Sequence, residues 1–201
     1  MPGRRKKRSL DRSVEVHRST NILFVGIEGG SYKSKEALYL DMFKGSNIKV
    51  QVRIYPCEEH KSAPVHVLNH LKNRLKEEVL QEGDEAWLLI DKDRYQHHLP
   101  EVASMCIDAD ISLALSNPCF EYWLLLHHNK PNQLFDECKE VKKELAIILS
   151  KIDTSESFES IYWDKVDVAI SRARDLDNSA DRWPQQNGSR VYRLVERIRA
   201  F

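Results

Sequence analysis

Three acidic side chains stand directly behind apolar runs. Glu28 follows Asn21-Ile22-Leu23-Phe24-Val25-Gly26-Ile27, and Asp91 and Asp93 follow Ala86-Trp87-Leu88-Leu89-Ile90. Short apolar runs bounded by turn signals read as buried strands. In a parallel sheet the strand C-termini share one edge, and ligands bind there. Carboxylates gathered on that edge repel one another unless a cation lies between them, and hard oxygen ligands suit Mg²⁺ or Mn²⁺. Asp91 and Asp93 are two residues apart, so on extended backbone they point to the same side and can share one ion. A DxD pair alone is more often a polar strand exit. Glu28, at the end of a separate strand, strengthens the metal reading, and a divalent ion in such a place points to phosphate chemistry.

A second stretch runs from a strand into a helix: Ser116-Asn117-Pro118-Cys119-Phe120-Glu121-Tyr122-Trp123-Leu124-Leu125-Leu126-His127. It brings Asn117 to the same edge, where its amide can orient a phosphate or a water. Glu121, about one turn into the helix, suits a further ligand or a general base. The ordinary alternative is a helix capped by Ser116 or Asn117 with Glu121 facing solvent. Trp123, Leu124 and Leu126 read as core. Glu28-Gly29-Gly30 forms a strand-to-helix turn whose glycines let backbone amides approach a phosphate. It is not a Walker loop, because Tyr32 stands before Lys33 where that motif needs glycine. His66 and His70 share a helix face with Asn73 and Glu77, which reads as solvated rather than zinc-binding. General-acid roles for His127 or His97, and a nucleophilic role for Cys119, have weaker support.

The elements that must position these residues follow from periodicity. Strands are expected over 21–27, around Val50-Gln51-Val52-Arg53-Ile54, over 86–91 and over 111–116. Helices are expected over 34–45, with Leu38, Met42 and Phe43 toward the core, and over 63–82, with Leu68, Leu71, Leu75 and Val79 as the apolar stripe before Gly83. Further helices are expected over 99–107, from Pro118 in the first turn to about His128, and over about 134–150, 164–177 and 189–200. Strands alternating with helices imply an α/β fold with a largely parallel sheet of about four strands. The domain reading is a basic arm over 1–19, a catalytic domain over 20–130 and a helical C-terminal region over 131–201 packed on it.

The 201-residue chain is long enough for a sizeable core, and its net charge of zero is unevenly spread. Residues 1–12 carry six Lys/Arg against one acid; residues 171–201 carry seven Arg against four acids. The middle is therefore acidic by eight charges. An acidic body with basic ends suits a metal-dependent enzyme acting on a polyanion. Arg4, Arg5, Lys6, Lys7 and Arg8, with Lys33 and Lys35, are the expected nucleic-acid contacts; the alternative for the arm is a solvated, disordered segment. The four cysteines show no CxxC pairing, so neither a zinc site nor a disulfide framework is signalled. That pattern fits a reducing cytosol. No secretory signal and no run of membrane-spanning length is present.

The blocks Ile22–Gly29, Ile90-Asp91-Lys92-Asp93 and Ser116–His127, with the basic arm and Gly188-Ser189-Arg190-Val191-Tyr192-Arg193-Leu194-Val195, resemble the RloB family across nearly the whole chain. The resemblance implies a Toprim-like (Rossmann-like) domain with a helical C-terminal appendage. It places the Toprim glutamate at Glu28, the Toprim DxD at Asp91 and Asp93, and the SNPxFE motif at Ser116, Asn117, Pro118 and Glu121. It also implies phage defence, with an ABC-type or OLD-like ATPase partner as in abortive-infection L systems. One departure is the Gly29–Glu36 loop, longer and more basic than the short Thr-Glu loop usual in the family. The chain has no room for a topoisomerase's tyrosine domain and lacks a primase's zinc module. The expectation is a Mg²⁺- or Mn²⁺-dependent nuclease acting on DNA or RNA, tRNA included, in the cytoplasm. A homo-oligomer is compatible with the sequence. The rival reading is a non-catalytic nucleic-acid-binding or ATPase-docking subunit.

Overall fold

The structure is a computed structural model that describes residues 18–46, 49–57, 63–92, 97–153 and 155–201. Strand β1 (Asn21–Ile27) is followed by helix α1 (Lys35–Asp41), β2 (Val50–Pro56), α2 (Pro64–Leu75), β3 (Glu85–Asp91), α3 (Leu99–Asp108), β4 (Ile111–Asn117) and α4 (Phe120–His128). The C-terminal part adds α5 (Cys138–Leu149), α6 (Phe158–Tyr162), a short 3₁₀ turn (Trp163–Lys165), α7 (Val166–Leu176), β5 (Gly188–Ser189) and α8 (Val191–Arg199).

One sheet of five strands runs in the order β2-β1-β3-β4-β5. The first four strands are parallel and β5 pairs antiparallel with the end of β4, Ser116 opposite Ser189 and Asn117 opposite Gly188. Helices cover both faces, so central strands are apolar on both sides; every residue of β1 after Asn21 is buried. This mostly parallel, helix-flanked sheet agrees with the Toprim-like expectation. The sequence pattern did not show β5, because two residues carry no period.

Two hydrophobic clusters form, one on each side of the sheet. The larger joins residues of β1 and β2 to α1, α4, α5, α7 and α8, so the C-terminal helices share a core with the sheet. The smaller joins the opposite sides of β1, β3 and β4 to α2 and α3. Tyr39 of α1 is the knot of the larger cluster. Its ring meets Phe120, Trp123 and His127 of α4 edge-on, with centroids 5.9, 5.8 and 5.3 Å away. Each such aromatic pair contributes about 0.5–1.5 kcal/mol beyond burial alone.

Several sequence expectations need correction. Helix α4 begins at Phe120 with Cys119 as its N-cap, so Pro118, which follows a cis peptide, lies outside the first turn. Leu38 is exposed while Met42 and Phe43 are buried: the core face of α1 carries Ala37, Tyr39 and Leu40, and Leu38 projects from the opposite side. Helix α2 ends at Leu75, which leaves Val79 beyond it and 79% exposed. Cys119 and Cys138 form a disulfide, S–S 2.13 Å, which a search for CxxC spacing could not reveal across a separation of 19. The argument for a reducing compartment therefore falls, and Cys119 holds no free thiol for a nucleophile. Among the described residues no helix is long and apolar enough to cross a membrane.

Candidate functional site

β1 and β3 lie side by side with Ile27 opposite Leu89, so Glu28 and Asp91 leave the sheet at the same edge. Asp91 is opposite Ser116 of β4, which brings the start of α4 to the same place. The turn after Glu28 is built around Ser34. Its hydroxyl caps α1 by accepting from the Ala37 amide at 3.3 Å. A Cβ on Gly29 would lie 2.3 Å from the Ser34 Oγ and 3.1 Å from Glu36 Oε2, so only glycine permits this turn to close.

That closure carries Glu36, in the first turn of α1, to the acidic edge. Burial holds the Asp91 carboxyl well above the ordinary aspartate range, and the charges of Glu28, Glu36 and Glu121 add to the shift; the Phe120 backbone amide opposes it. Glu36 is also raised, mainly by burial, with its own backbone amide and the Ser34 hydroxyl working the other way and Glu121 adding repulsion. Carboxylates from the turn after β1, from α1 and from α4 thus all act on Asp91 at the end of β3.

Glu121 is buried, not solvent-facing. Its Oε1 receives the Lys35 ammonium at 2.8 Å and lies 3.6 Å from that of Lys142 on α5. Its Oε2 is 3.6 Å from the Cys138 Sγ, beside the disulfide. Cys119, Glu121 and Cys138 have ligand atoms within 4.8 Å of one another, but the two sulfurs are spent on each other. Among the described residues no three carboxylates come that close together.

Asn117 takes a different part from the one expected. Its amide nitrogen lies 3.0, 3.0 and 2.8 Å from the carbonyls of Pro184, Gln185 and Gln186, two hydrogens shared among three acceptors. It therefore pins the segment before β5. The Ser116 hydroxyl is buried against Ser189 Oγ at 2.8 Å. Lys35 is an ion-pair partner of Glu121, whereas Lys33 is exposed.

His127 is buried in the aromatic cluster. Its Nδ1 donates to the Trp123 carbonyl at 3.0 Å, which leaves Nε2 to accept from the Tyr39 hydroxyl at 3.0 Å. Burial pushes its pKa down to about 3, so the ring is neutral and acts as a strut between α1 and α4. His97 is exposed. Asp93 and the arm residues Arg4, Arg5, Lys6, Lys7 and Arg8 lie outside the described residues.

A family model described as RloB-like protein matches residues 24–198. The chain belongs to the RloB-like family. No curated protein and no solved structure matches it. The match runs from within β1 to within α8, so the RloB-like family includes the C-terminal helices as well as the sheet.

Two residues of this RloB-like site escaped the sequence reading. Glu36 had a readable signal: it sits two residues after a serine suited to cap the helix that follows Glu28. Lys142 had none, because only the fold of α5 against α4 brings it to Glu121.

Proposed function

We propose that this RloB-like protein is a divalent-metal-dependent nuclease that hydrolyses phosphodiester bonds. The observation that carries the reading is the surplus of carboxylates around Asp91 at the C-terminal edge of a parallel sheet. Lys35 offsets Glu121, but gathering Glu28, Glu36 and Glu121 around the half-buried Asp91 still raises repulsion there. A cation converts that repulsion into attraction, and the donor set, all hard carboxylate oxygens, fits Mg²⁺ or Mn²⁺. Glu28 and Asp91 would hold it, with Asp93 from beyond the described residues. When bound, the ion supplies charge that polarises the scissile phosphate and favours deprotonation of water.

The chain's own groups supply the remainder. Hydrolysis adds water across a P–O bond, so the attacking oxygen loses a proton and the leaving oxygen gains one. Glu121, buried at this edge, is the candidate acceptor for the first of these. The Lys35 and Lys142 ammoniums, half exposed beside it, attract the phosphates that flank the scissile one. The basic arm adds affinity without sequence preference. The family resemblance supports work in phage defence beside an ABC-type or OLD-like ATPase, with DNA or RNA as substrate.

Purified protein incubated with plasmid and with total tRNA, in Mn²⁺ and in EDTA, tests the reading. Cleavage is expected in Mn²⁺ alone. Asp91→Asn should lower the rate by more than the roughly 10–100-fold typical of residues that only support a metal ligand. Nucleic-acid binding with no cleavage, with or without the ATPase, would favour the docking-subunit reading.

A further inference from the structure

Next to the acidic edge lies a cleft of about 330 Å³, at the lower end of the range for organic-ligand pockets, roughly 300–1,000 Å³. Two loops face each other across it, one over Leu134, Phe135 and Asp136, the other over Gln185, Gln186 and Asn187, and Lys92, Asn117 and Pro118 lie between them. Both loops are fixed by side-chain amides. Asn187 pairs with the Phe135 backbone in both directions, accepting from its amide at 2.6 Å and donating to its carbonyl at 2.8 Å. Asn117 holds the carbonyls of 184–186, as described. Arg190 anchors the stretch before that by donating to the carbonyls of Asn178, Asp181 and Arg182. The cleft is thus built before any ligand arrives. The groups left to meet a ligand are of three kinds: Leu134, 69% exposed, offers an apolar face, the exposed Gln186 offers an amide edge, and the exposed Asp136 offers a carboxylate that can accept from an exocyclic base amine.

Lys92 links the cleft to the acidic edge. It directly follows Asp91, and its ammonium reaches the Gln185 carbonyl at 3.2 Å on the cleft's rim.

We infer that this cleft receives one unstacked nucleobase of a single-stranded or looped nucleic acid, beside the nucleotide whose phosphate lies at Asp91. The inference rests on the nuclease reading and narrows its substrate. A base needs an apolar surface for its face and hydrogen-bonding groups for its edge, and its backbone needs a cation; Leu134, Gln186 and Lys92 provide these in one place. A base inside a duplex cannot enter without being extruded, whereas a single strand presents its bases free. The site therefore selects strandedness, while the basic arm and the lysines around Glu121 bind any phosphate backbone.

The test uses full-length protein with Ca²⁺ in place of Mn²⁺, so that the acidic edge is charge-compensated, and intact probe recovered at the end shows that affinity was read without turnover. The probes are a short fluorescein-labelled single strand, the same strand in a duplex, and a nucleoside monophosphate as competitor. Single strand is expected to bind tighter than duplex. Leu134→Glu, at an exposed position, should weaken the single strand about tenfold, equivalent to ~1.4 kcal/mol, and leave the duplex unchanged. Val168→Glu, an exposed site on α7 outside the cleft, controls for added charge and should change neither. The monophosphate should compete weakly in wild type and not measurably in Leu134→Glu. Equal affinity for both strand forms, no binding of the single strand, or indifference to Leu134→Glu would overturn the inference. A parallel Mn²⁺ cleavage assay separates the two readings. Cleavage with a Leu134→Glu variant that binds normally removes the cleft and keeps the nuclease. Leu134-dependent binding without cleavage keeps the cleft and removes the nuclease.

Discussion

Asp91 and Asp177 are the same side chain in opposite company. Asp177 follows α7, its side chain only 3% exposed, and burial would raise its pKa. The Tyr192 hydroxyl at 2.8 Å and the guanidiniums of Arg190 and Arg193, at 2.9 and 2.7 Å, outweigh that, and its carboxyl ends below the ordinary range. Asp91 has burial and three other carboxylates, and ends well above it. One region has compensated its charge with cations of the chain itself; in the other, Lys35 offsets Glu121, but Asp91 still carries the repulsion of its acidic neighbours, which a cation would relieve. The first arrangement fits scaffold, since it fixes the segment that lines the cleft. The second fits a site awaiting a cation.

The comparison is sharpest in stability. Asp177→Ala leaves the buried Arg190 without its carboxylate and should destabilise the fold by about 3–5 kcal/mol, read from urea melts in EDTA. Asp91→Asn in the same buffer should cost nothing or stabilise, because it removes repulsion. If both variants destabilise equally, the contrast between the two aspartates is broken.

A smaller effect lies in pH. The folded pKa of Asp177 is lowered, so its stabilisation is present above the unfolded value of ~3.9 and is lost as pH falls through the folded value. His127 acts earlier in the same direction. Its folded pKa of about 3 lies below its unfolded value, so the unfolded chain takes up the proton first. Stability should fall between about pH 6.5 and pH 5 by a slope approaching roughly 1.4 kcal/mol per unit from this one group. Urea melts of wild type and His127→Phe across that range check it. The variant should have the flatter slope, and parallel slopes would show that His127 is not held neutral.

The parallel sheet was legible because its strands are apolar on both faces, and Glu28 and Asp91 were legible because strand ends must share an edge. Helix faces and ends were less so: Leu38 lies within α1 but on the side away from Ala37, Tyr39 and Leu40, and α2 ends before Val79 can join its apolar stripe. The long-range pairings were not legible at all. Nothing in the local pattern joins Cys119 to Cys138, brings Lys142 to Glu121, or turns Asn117 from the acidic edge toward three carbonyls of a segment about seventy residues on. These depend on how α5 and the segment before β5 fold back, which local periodicity does not encode.

The central claim is that the carboxylates around Asp91 are arranged for a divalent cation. A thermal melt of wild type and Asp91→Asn, each with Mn²⁺ and with EDTA, tests it most directly. Wild type should gain roughly 1.4 kcal/mol when free Mn²⁺ reaches about ten times its Kd, and more as Mn²⁺ rises further. Asp91→Asn should gain little over the same range. A wild-type melting temperature that does not respond to Mn²⁺ at any concentration, or an Asp91→Asn variant that responds as fully as wild type, would contradict the account.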